Sequence, residues 1–466
     1  MSNVKSIRTD MVNIVNRTNH SLLDITSELR EFMKNDTYSL LIKGRSGTGK
    51  TTFSLSILRS LKAKNNFFFI STRSSPKQMF EHYPWLRKFI NEPIKDIDSP
   101  DVGQNLSAFE DARLDEPESL FERVTNQLMD VKNPVIIIDS WDSVASLMDR
   151  EARLNNERVL QTWRERAKAK LIFTSEESVE SSLEYIVDGV VELDYELKDG
   201  IRTRSLFLKK LRGIPIKRSV YLFTLKDRIL RCFDSYDPRD FRINKSDKNP
   251  KETDHSTQLP QTGYQDLDNY IGGTLPQKGL ITIEKEDTIS NDIIALFLND
   301  LFYNFSRRGY SLLLDSGLKD VLTDMHMSKN QNYKLHIMDE LRSPEGSAQN
   351  EIKGKNNFYK YVDKAVSGLS KEKIVAMVES KSLDNFMSST TDIDDYCRFI
   401  KSKFELSFLI LNSNNKLERY YSVSDIHLKF ILICGTLFLK CSTPASALFG
   451  VKVANSVPQI QLDHVL

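Results

Sequence analysis

Short apolar runs alternate with amphipathic segments along this chain, and the alternation predicts strands that alternate with helices. Four runs in the first half have the length and composition of strands buried on both faces of a sheet: Leu40–Ile42, Phe67–Ile70, Val135–Ile138 and Leu171–Phe173. Helical spacing follows the first run, with Phe53, Ile57 and Leu61 on one face. The pattern therefore predicts an α/β fold with a mixed, mainly parallel sheet.

The end of the first half predicts strands without helices between them. These strands are Tyr185–Leu193, Ser205–Leu208 and Tyr221–Phe223, and Lys198–Gly200 predicts a hairpin turn. They would add an antiparallel edge to the sheet. Residues 82–118, which contain four prolines and many acidic residues, predict an irregular surface insertion.

A polar stretch at 237–260 has no apolar period and predicts an interdomain linker. Residues 1–37 would be an N-terminal helical extension on the edge of the first domain, which spans 38–236. Residues 261–466 would form a second α/β domain, with antiparallel strands at Lys429–Val453. Its other predicted strands are Leu280–Ile283, Leu312–Asp315, Ile374–Val378 and Leu406–Leu411.

Composition narrows the class of protein. The 466 residues carry a net charge of +1, so no overall electrostatic field favours binding to nucleic acid or acidic lipid. The net charge does not exclude a local basic groove. The four cysteines lack the spacing of a zinc site and fit a reducing compartment. The longest apolar run, Phe430–Leu439, is about half of the ~20 residues that a membrane helix needs. We therefore expect a cytoplasmic protein without membrane contact.

The first run leads into a glycine-rich loop, Gly44–Thr51, and then into the helical segment. This layout of strand, loop and helix is that of a phosphate-binding loop, in which converging backbone N–H groups hold a polyphosphate. Lys50 would reach the β- and γ-phosphates of ATP, and the Thr51 hydroxyl would bind Mg²⁺. The predicted nucleotide-binding residues are Gly44, Arg45, Ser46, Gly47, Thr48, Gly49, Lys50, Thr51 and Thr52.

A second candidate lies at the end of the run Val135–Ile138. Asp139 follows this run, as the metal-holding aspartate follows a Walker B strand, and predicts a second Mg²⁺ contact. An aspartate that only caps the following turn is the alternative. Thr174 and Glu176 end the next predicted strand and would face the nucleotide, since ligands bind at the carboxyl ends of parallel strands.

In the second half, strand, loop and helix recur where another phosphate-binding loop would lie. Residues 284–291 contain no glycine and three acidic residues. Carboxylates would repel phosphate, and side chains would block the close approach of the backbone. The sequence therefore predicts a nucleotide-binding architecture that has lost nucleotide binding.

Together these motifs resemble the KaiC-like branch of the RecA-superfamily ATPases. The resemblance rests on the loop, on Asp139-Ser140, on residues 187–193 and on Lys210-Leu211-Arg212-Gly213. The second half matches the start of a KaiC-like domain at residues 262–276. Within the branch, residues 71–77 and 138–142 are most similar to the archaeal GvpD-like ATPases.

The resemblance implies a RecA-like core with ATP near a subunit interface. Lys210 and Arg212 would act in trans on a neighbour's γ-phosphate, although an ordinary basic strand end is the alternative. One departure concerns the paired glutamates that usually follow the second strand of this branch. Thr72-Arg73 stands there, with Glu176 and Asp142 as candidate substitutes. ATP binding is thus better supported than rapid hydrolysis.

We therefore expect a homo-oligomeric regulator that binds Mg-ATP in its first domain and hydrolyses it slowly or conditionally. Its second domain would be structural or would dock a regulatory protein. One alternative is a DNA-associated ATPase like RecA or RadA, but no DNA-binding signature or basic tail supports it. The other is a nucleotide-stabilised scaffold without turnover.

Overall fold

The structure is a computed structural model. It describes residues 25–63, 66–90, 107–113, 116–128, 131, 133–176, 183–198, 200–241, 260–318, 335–338, 355–367, 373–384, 392–411, 417–454 and 460–465. These residues form two compact units that divide between Asp234 and Ser235. We call residues 25–234 the first unit and residues 235–464 the second unit.

The first unit contains nine strands and eight α-helices within the described residues. In chain order they are α1 (Ser27–Phe32), β1 (Tyr38–Gly44), α2 (Lys50–Leu61), β2 (Phe67–Ser71), α3 (Pro76–His82), α4 (Trp85–Ile90), β3 (Ser107–Asp111), α5 (Pro117–Leu128), β4 (Val135–Asp139), α6 (Trp141–Ala145), α7 (Arg150–Arg166), β5 (Lys170–Ser175), α8 (Leu183–Ile186), β6 (Gly189–Lys198), β7 (Ile201–Leu211), β8 (Val220–Thr224) and β9 (Arg231–Cys232).

These strands form one sheet in the order β3-β2-β4-β5-β1-β6-β7-β8-β9. The strands from β3 to β6 are parallel, and β7, β8 and β9 are antiparallel. Every residue of β2 and β4 is buried, because apolar clusters cover both faces of the sheet. The predicted α/β fold with an antiparallel edge is confirmed.

The prediction of an irregular insertion at 82–118 is wrong for its described part. Residues 85–90 are helical, and β3 pairs with β2 in parallel as the edge strand of the sheet. Phe109 packs against Phe67 and Phe69, with ring centroids 5.4 and 5.5 Å apart. An edge strand needs few apolar residues, so β3 lacks the apolar run that marks the central strands. Residues 91–106 lie outside the described residues.

Two further predictions in the first unit are corrected. The segment predicted as one strand from Tyr185 begins as the helix α8, and β6 starts only at Gly189. Tyr185 is 83% exposed, which a central strand would not allow. Ile25, Leu29 and Phe32 are fully buried in the core, so the helix before β1 is part of the domain and not an extension on its edge. Residues 1–24 lie outside the described residues.

The second unit repeats the pattern. Its elements are α9 (Gln265–Tyr270), β10 (Gly279–Lys285), α10 (Asn291–Arg307), β11 (Ser311–Asp315), β12 (Leu335–Met338), α11 (Lys355–Val366), β13 (Ile374–Glu379), α12 (Ser380–Asp384), α13 (Asp392–Lys403), β14 (Leu406–Ile410), α14 (Leu417–Val423), β15 (Ile426–Ile433), β16 (Thr436–Thr443), β17 (Ala447–Val453) and β18 (Ile460–His464). In the described parts of both units, no helix is both long and apolar enough to span a membrane.

The second sheet has the order β12-β11-β13-β14-β10-β15-β16-β17-β18. Each strand takes the place of its counterpart in the first sheet, with β10 in the position of β1. The two units therefore share one α/β topology, including the antiparallel edge. The pairing registers of the two sheets also correspond. Ile42 of β1 pairs with Thr174 of β5, and Ile283, at the same position in β10, pairs with Ile410 of β14.

The segment predicted as a linker begins as part of the second unit. Pro238–Phe241 forms a 3₁₀ turn. Phe241 is buried in the core of the second unit, and Tyr236 packs beside it with ring centroids 5.4 Å apart. A single aromatic residue in a polar stretch has no periodicity, so the pattern did not reveal it. Residues 242–259 lie outside the described residues.

Candidate nucleotide-binding site

The glycine-rich loop connects the carboxyl end of β1 to the start of α2. Gly44, Gly47 and Gly49 all have positive φ angles, of 151°, 79° and 101°. A Cβ atom on Gly44 would lie 2.3 Å from the carbonyl oxygen of Leu193 in β6, closer than real Cβ contacts come. The loop thus follows a path that side chains at these positions would oppose. Gly49 is the N-cap of α2 and supplies no side-chain hydrogen bond, so the helix N-terminus is open to an anion.

Lys50 is the first residue of α2 and is buried. Its ammonium donates hydrogen bonds to the carbonyl oxygens of Gly44 at 2.6 Å and Arg45 at 3.1 Å. Burial lowers the pKa of this ammonium, while the nearby carboxylate of Glu176 acts in the opposite direction. The side chain therefore spans its own loop and places a positive charge where a phosphate chain would lie.

Thr51 and Asp139 are held together, as a shared metal site requires. The Thr51 hydroxyl donates to Oδ2 of Asp139 at 2.7 Å, and the Thr174 hydroxyl donates to Oδ1 at 2.5 Å. Asp139 is 4% exposed and ends β4. Its carboxylate thus faces the loop across the carboxyl ends of β4 and β5. In this structure it does not cap the following helix with its side chain.

The other predicted nucleotide-binding residues divide into two groups. Arg45 and Ser46 are exposed at the tip of the loop, and Arg45 pairs with Asp194 of β6. Thr48 and Thr52 have hydroxyls engaged inside the unit. Thr48 donates to the carbonyl oxygen of Arg45 at 2.8 Å, and the Thr52 hydroxyl lies 3.1 Å from that of Tyr83. Gly47 has no atom within 4 Å of where its Cβ would be.

Lys210 and Arg212 lie at the end of the strands opposite to the loop, because Leu211 pairs with Gly189 at the start of β6, whereas Gly44 pairs with Leu193. Lys210 donates to the carbonyl oxygens of Glu184 at 3.2 Å and Val187 at 2.7 Å. Arg212 is 63% exposed at its side chain and pairs with Asp188 at 2.9 Å. The structure therefore does not bring these two residues to the loop of their own chain.

Asp188 lies within the motif at residues 187–193, but the sequence assigned it no role of its own. Its Oδ2 accepts hydrogen bonds from the backbone and hydroxyl of Ser39, at 3.1 and 3.0 Å, and from Arg164 at 2.9 Å. In the second unit, Asp425 accepts from the backbone of Leu280 at 2.7 Å and pairs with Lys401. This anchor joins the starts of two adjacent strands in both units. The shared sequence position, one residue before the strand, was the available signal.

Arg73 and Glu176 form an ion pair near the loop, with 2.5 Å between NH2 and Oε1. Asp142, the other predicted carboxylate, accepts from the Ser175 hydroxyl at 2.8 Å and from the backbone of Glu176 at 2.5 Å. Asp142 therefore fixes the end of β5. The sequence placed Arg73 and Glu176 at strand ends but did not predict that they pair, because the contact joins residues 103 positions apart.

The corresponding loop of the second unit is closed by its own side chains. Lys285 donates to the carbonyl oxygen of Ile289 at 2.8 Å, and Ile289 is buried. The backbone of Ser290 donates to the Tyr236 hydroxyl at 2.9 Å, and the Ser290 hydroxyl accepts from the backbone N–H of Asp292, at the start of α10, at 3.2 Å. Protein groups thus occupy the helix N-terminus that stays open in the first unit. By strand pairing, Glu379 at the end of β13 occupies the position that Asp139 occupies at the end of β4.

The sheet order, the open loop and the Thr51–Asp139 pair define the first unit as a P-loop fold of the KaiC-like type. Residues 29–209 match the family model described as GvpD gas vesicle protein, P-loop domain. The resemblance predicted from the motifs is confirmed, because the first unit matches the P-loop domain model of the GvpD family. The match ends before Lys210 and Arg212.

Several curated proteins are similar to this chain. Protein GvpD2 of Halobacterium salinarum is 24% identical over 477 aligned residues, which cover 94% of this chain and 96% of that protein. Protein GvpD1 of the same organism is 27% identical, covering 69% of this chain and 63% of that protein. The circadian clock oscillator protein KaiC of Synechococcus elongatus is 26% identical over 42% of this chain and 40% of its own length.

Proposed function

We propose that this chain is a regulatory ATPase that binds Mg-ATP in its first unit and hydrolyses it slowly. The observation that carries the proposal is the arrangement around the loop. Lys50 lies along the loop, and Thr51 of α2 is joined at 2.7 Å to Asp139, which ends β4. A cation at one side of the phosphates and metal-binding oxygens at the other are what a Mg-nucleotide needs. The regulatory part is supported by the similarity to KaiC, a clock protein.

The residues present fit a magnesium ion. Among the described residues, no group of three histidine, cysteine or acidic side chains could hold a metal alone. Mg²⁺ usually keeps several waters and combines one or two protein oxygens with phosphate oxygens. Thr51 and Asp139 would supply the protein oxygens. When bound, the ion neutralises charge on the phosphate oxygens.

The residues that follow β2 support the proposal that hydrolysis is slow. The hydroxyl and backbone of Thr72 contact the Asp139 carbonyl at 3.2 and 2.8 Å, and Arg73 pairs with Glu176. A cation and a hydroxyl thus stand where the KaiC branch usually has a pair of glutamates. Neither a threonine hydroxyl nor a guanidinium is among the groups that serve as general bases. Glu176, the nearest candidate base, is engaged by Arg73.

For the second unit we propose a structural or partner-docking role without nucleotide. Ile289 of its loop is buried in the core of the unit, and its helix N-terminus is satisfied by Tyr236 and Ser290. We expect calorimetric titration with Mg-ATP to give about one nucleotide per chain, because a single open site leads to a 1:1 complex. Lys285→Ala should leave both stoichiometry and affinity unchanged, since this lysine lies in the closed loop. Two equivalents bound to the wild type would contradict the role proposed for the second unit.

We also propose that the chain assembles with copies of itself and that Lys210 and Arg212 act across the interface. Gly189 in β6 pairs with Leu40 and Leu211, whereas Leu193 pairs with Gly44. Four residues of strand thus separate the Lys210–Arg212 region from the loop, or about 13 Å at ~3.3 Å per residue. An arginine side chain does not bridge that distance within one chain and still orient on a phosphate. Contact between two copies would place Lys210 and Arg212 of one copy beside the loop of the other.

Arg212→Ala tests this arrangement. We expect light scattering to show a larger mass for the wild type with Mg-ATP than without it, and no such increase for the variant. Trans cations stabilise an interface only when a γ-phosphate is present. The fold should survive, because Arg164 still pairs with Asp188, and the second unit forms the same backbone anchor with Lys401 as its cation.

Arg239→Ala is the matched control, since Arg239 is also an exposed arginine paired with an aspartate. Its mass should increase with Mg-ATP as in the wild type. A wild-type mass of one chain under both conditions would show that Lys210 and Arg212 serve the fold of their own chain.

A further inference from the structure

The Arg73–Glu176 pair bridges three strand ends beside the loop. Arg73 follows β2, Glu176 follows β5, and β4, which ends in Asp139, lies between them. The NH2 and Oε1 atoms are 2.5 Å apart. The pair therefore crosses the sheet edge directly next to the carboxylate that faces Thr51.

The backbones of both residues are fixed, but their side chains are not built into the core. Ser71 Oγ accepts from the backbones of Arg73 at 3.4 Å and Ser74 at 3.0 Å, and Asp142 accepts from the backbone of Glu176. The side chains of Arg73 and Glu176 are 46% and 36% exposed. Each side chain can thus change partner without moving the strand ends that carry it.

The pair also lies within electrostatic range of the loop lysine. After burial, which lowers the pKa of Lys50 most, the carboxylate of Glu176 raises that pKa and the guanidinium of Arg73 lowers it. The hydrogen bond from Arg73 holds the pKa of Glu176 below its usual value, so Glu176 is a carboxylate at neutral pH. The charges of Arg73 and Glu176 therefore act on the Lys50 ammonium.

We propose that Arg73 senses the terminal phosphate of the nucleotide, and that Glu176 is the competing partner that holds Arg73 when this phosphate is absent. The inference rests on the proposed function, and it assigns the discrimination between ATP and ADP to this pair. A guanidinium binds phosphate and carboxylate oxygens with the same fork geometry, so the two acceptors compete. The half-exposed pair costs little to break, since exposed ion pairs contribute about 0–1 kcal/mol. Occupancy of the site would therefore decide which partner Arg73 keeps.

The test is calorimetric titration of the full chain with the Mg²⁺ complexes of a non-hydrolysable ATP analogue and of ADP. We expect Arg73→Ala to weaken the analogue about 10-fold, as for loss of one charge-assisted hydrogen bond, and ADP less than about two-fold. Glu176→Gln should tighten the analogue several-fold, because Arg73 no longer has a charged competitor. In the double variant this gain should disappear, since it acts through Arg73.

Arg113→Ala serves as the matched control. Arg113 pairs with Asp111 at 2.6 Å at the end of the neighbouring strand β3, so the variant removes the same charge from the same sheet edge. It should leave the affinity ratio of analogue to ADP unchanged. Urea unfolding of each variant, followed by tryptophan fluorescence, checks that the fold is retained.

Three outcomes would count against the sensor and leave the proposed function intact. Equal weakening of both nucleotides by Arg73→Ala would assign Arg73 a general electrostatic role. Weaker binding of the analogue to both Arg73→Ala and Glu176→Gln would show that the ion pair is purely structural. If the higher affinity caused by Glu176→Gln persisted in the double variant, it would result from removal of a negative charge and not from release of Arg73. Failure of the wild type to bind either nucleotide would overturn the proposed function itself, and the sensor with it.

Discussion

Lys50→Ala is expected to abolish measurable binding of Mg-ATP and Mg-ADP, with an affinity loss of at least about 100-fold, or roughly 2.7 kcal/mol. The reason is that the Lys50 ammonium is a buried cation lying along the loop, within 2.6 Å of the Gly44 carbonyl oxygen. Calorimetric titration at constant salt measures the effect.

The variant must also be shown to fold. Because the ammonium satisfies the Gly44 and Arg45 carbonyl oxygens, its removal will cost some stability. Unfolding of the variant in urea should nevertheless remain a cooperative transition. Lys77→Ala, which removes an exposed lysine of the same unit, should bind nucleotide like the wild type. Tight binding by a folded Lys50→Ala protein would disprove the assignment of this loop as the nucleotide site.

Gly44→Ala is expected to destabilise the first unit by about 3 kcal/mol and to remove nucleotide binding as well. The new Cβ would lie 2.3 Å from the Leu193 carbonyl oxygen and 2.9 Å from the Thr48 hydroxyl, at a φ of +151°. The first of these atoms is backbone within a central strand, so relief requires movement of β6 or of the loop. Both movements disturb the phosphate-binding path.

Tryptophan fluorescence during urea unfolding measures this effect in the first unit alone. All three tryptophans lie there, at positions 85, 141 and 163. Gly47→Ala is the control, because its Cβ would meet no atom within 4 Å. It carries only the strain of a left-handed residue, about 1–2 kcal/mol. Equal destabilisation by the two variants would show that the contact with Leu193 is not limiting.

The central strands and the loop were predictable from sequence because each signal is local. A strand buried on both faces must be apolar throughout, and β2, β4 and β5 are marked in this way. The loop needs glycines at fixed spacing, directly after a strand and before a helix. Asp139 follows from the same logic, as the polar residue that ends an apolar strand.

Predictions failed where a segment is stabilised by distant residues. Strand β3 contains few apolar residues and is recognisable only by its pairing with β2. Phe241 is buried although its neighbours in sequence are polar. The helix before β1 has helical spacing, but its place in the core depends on the sheet that it covers.

For the candidate site, the sequence by itself determined which groups can meet phosphate and magnesium, because the loop, Lys50 and Thr51 are contiguous. It also showed that the second loop lacks glycine. Only the tertiary structure decided that Arg73 pairs with Glu176, that Asp142 is engaged at the end of β5, and that Arg212 lies at the end of the strands opposite to the loop. Strand order brings these residues together or keeps them apart. That order results from packing among many distant residues, so it is not encoded in any single local pattern.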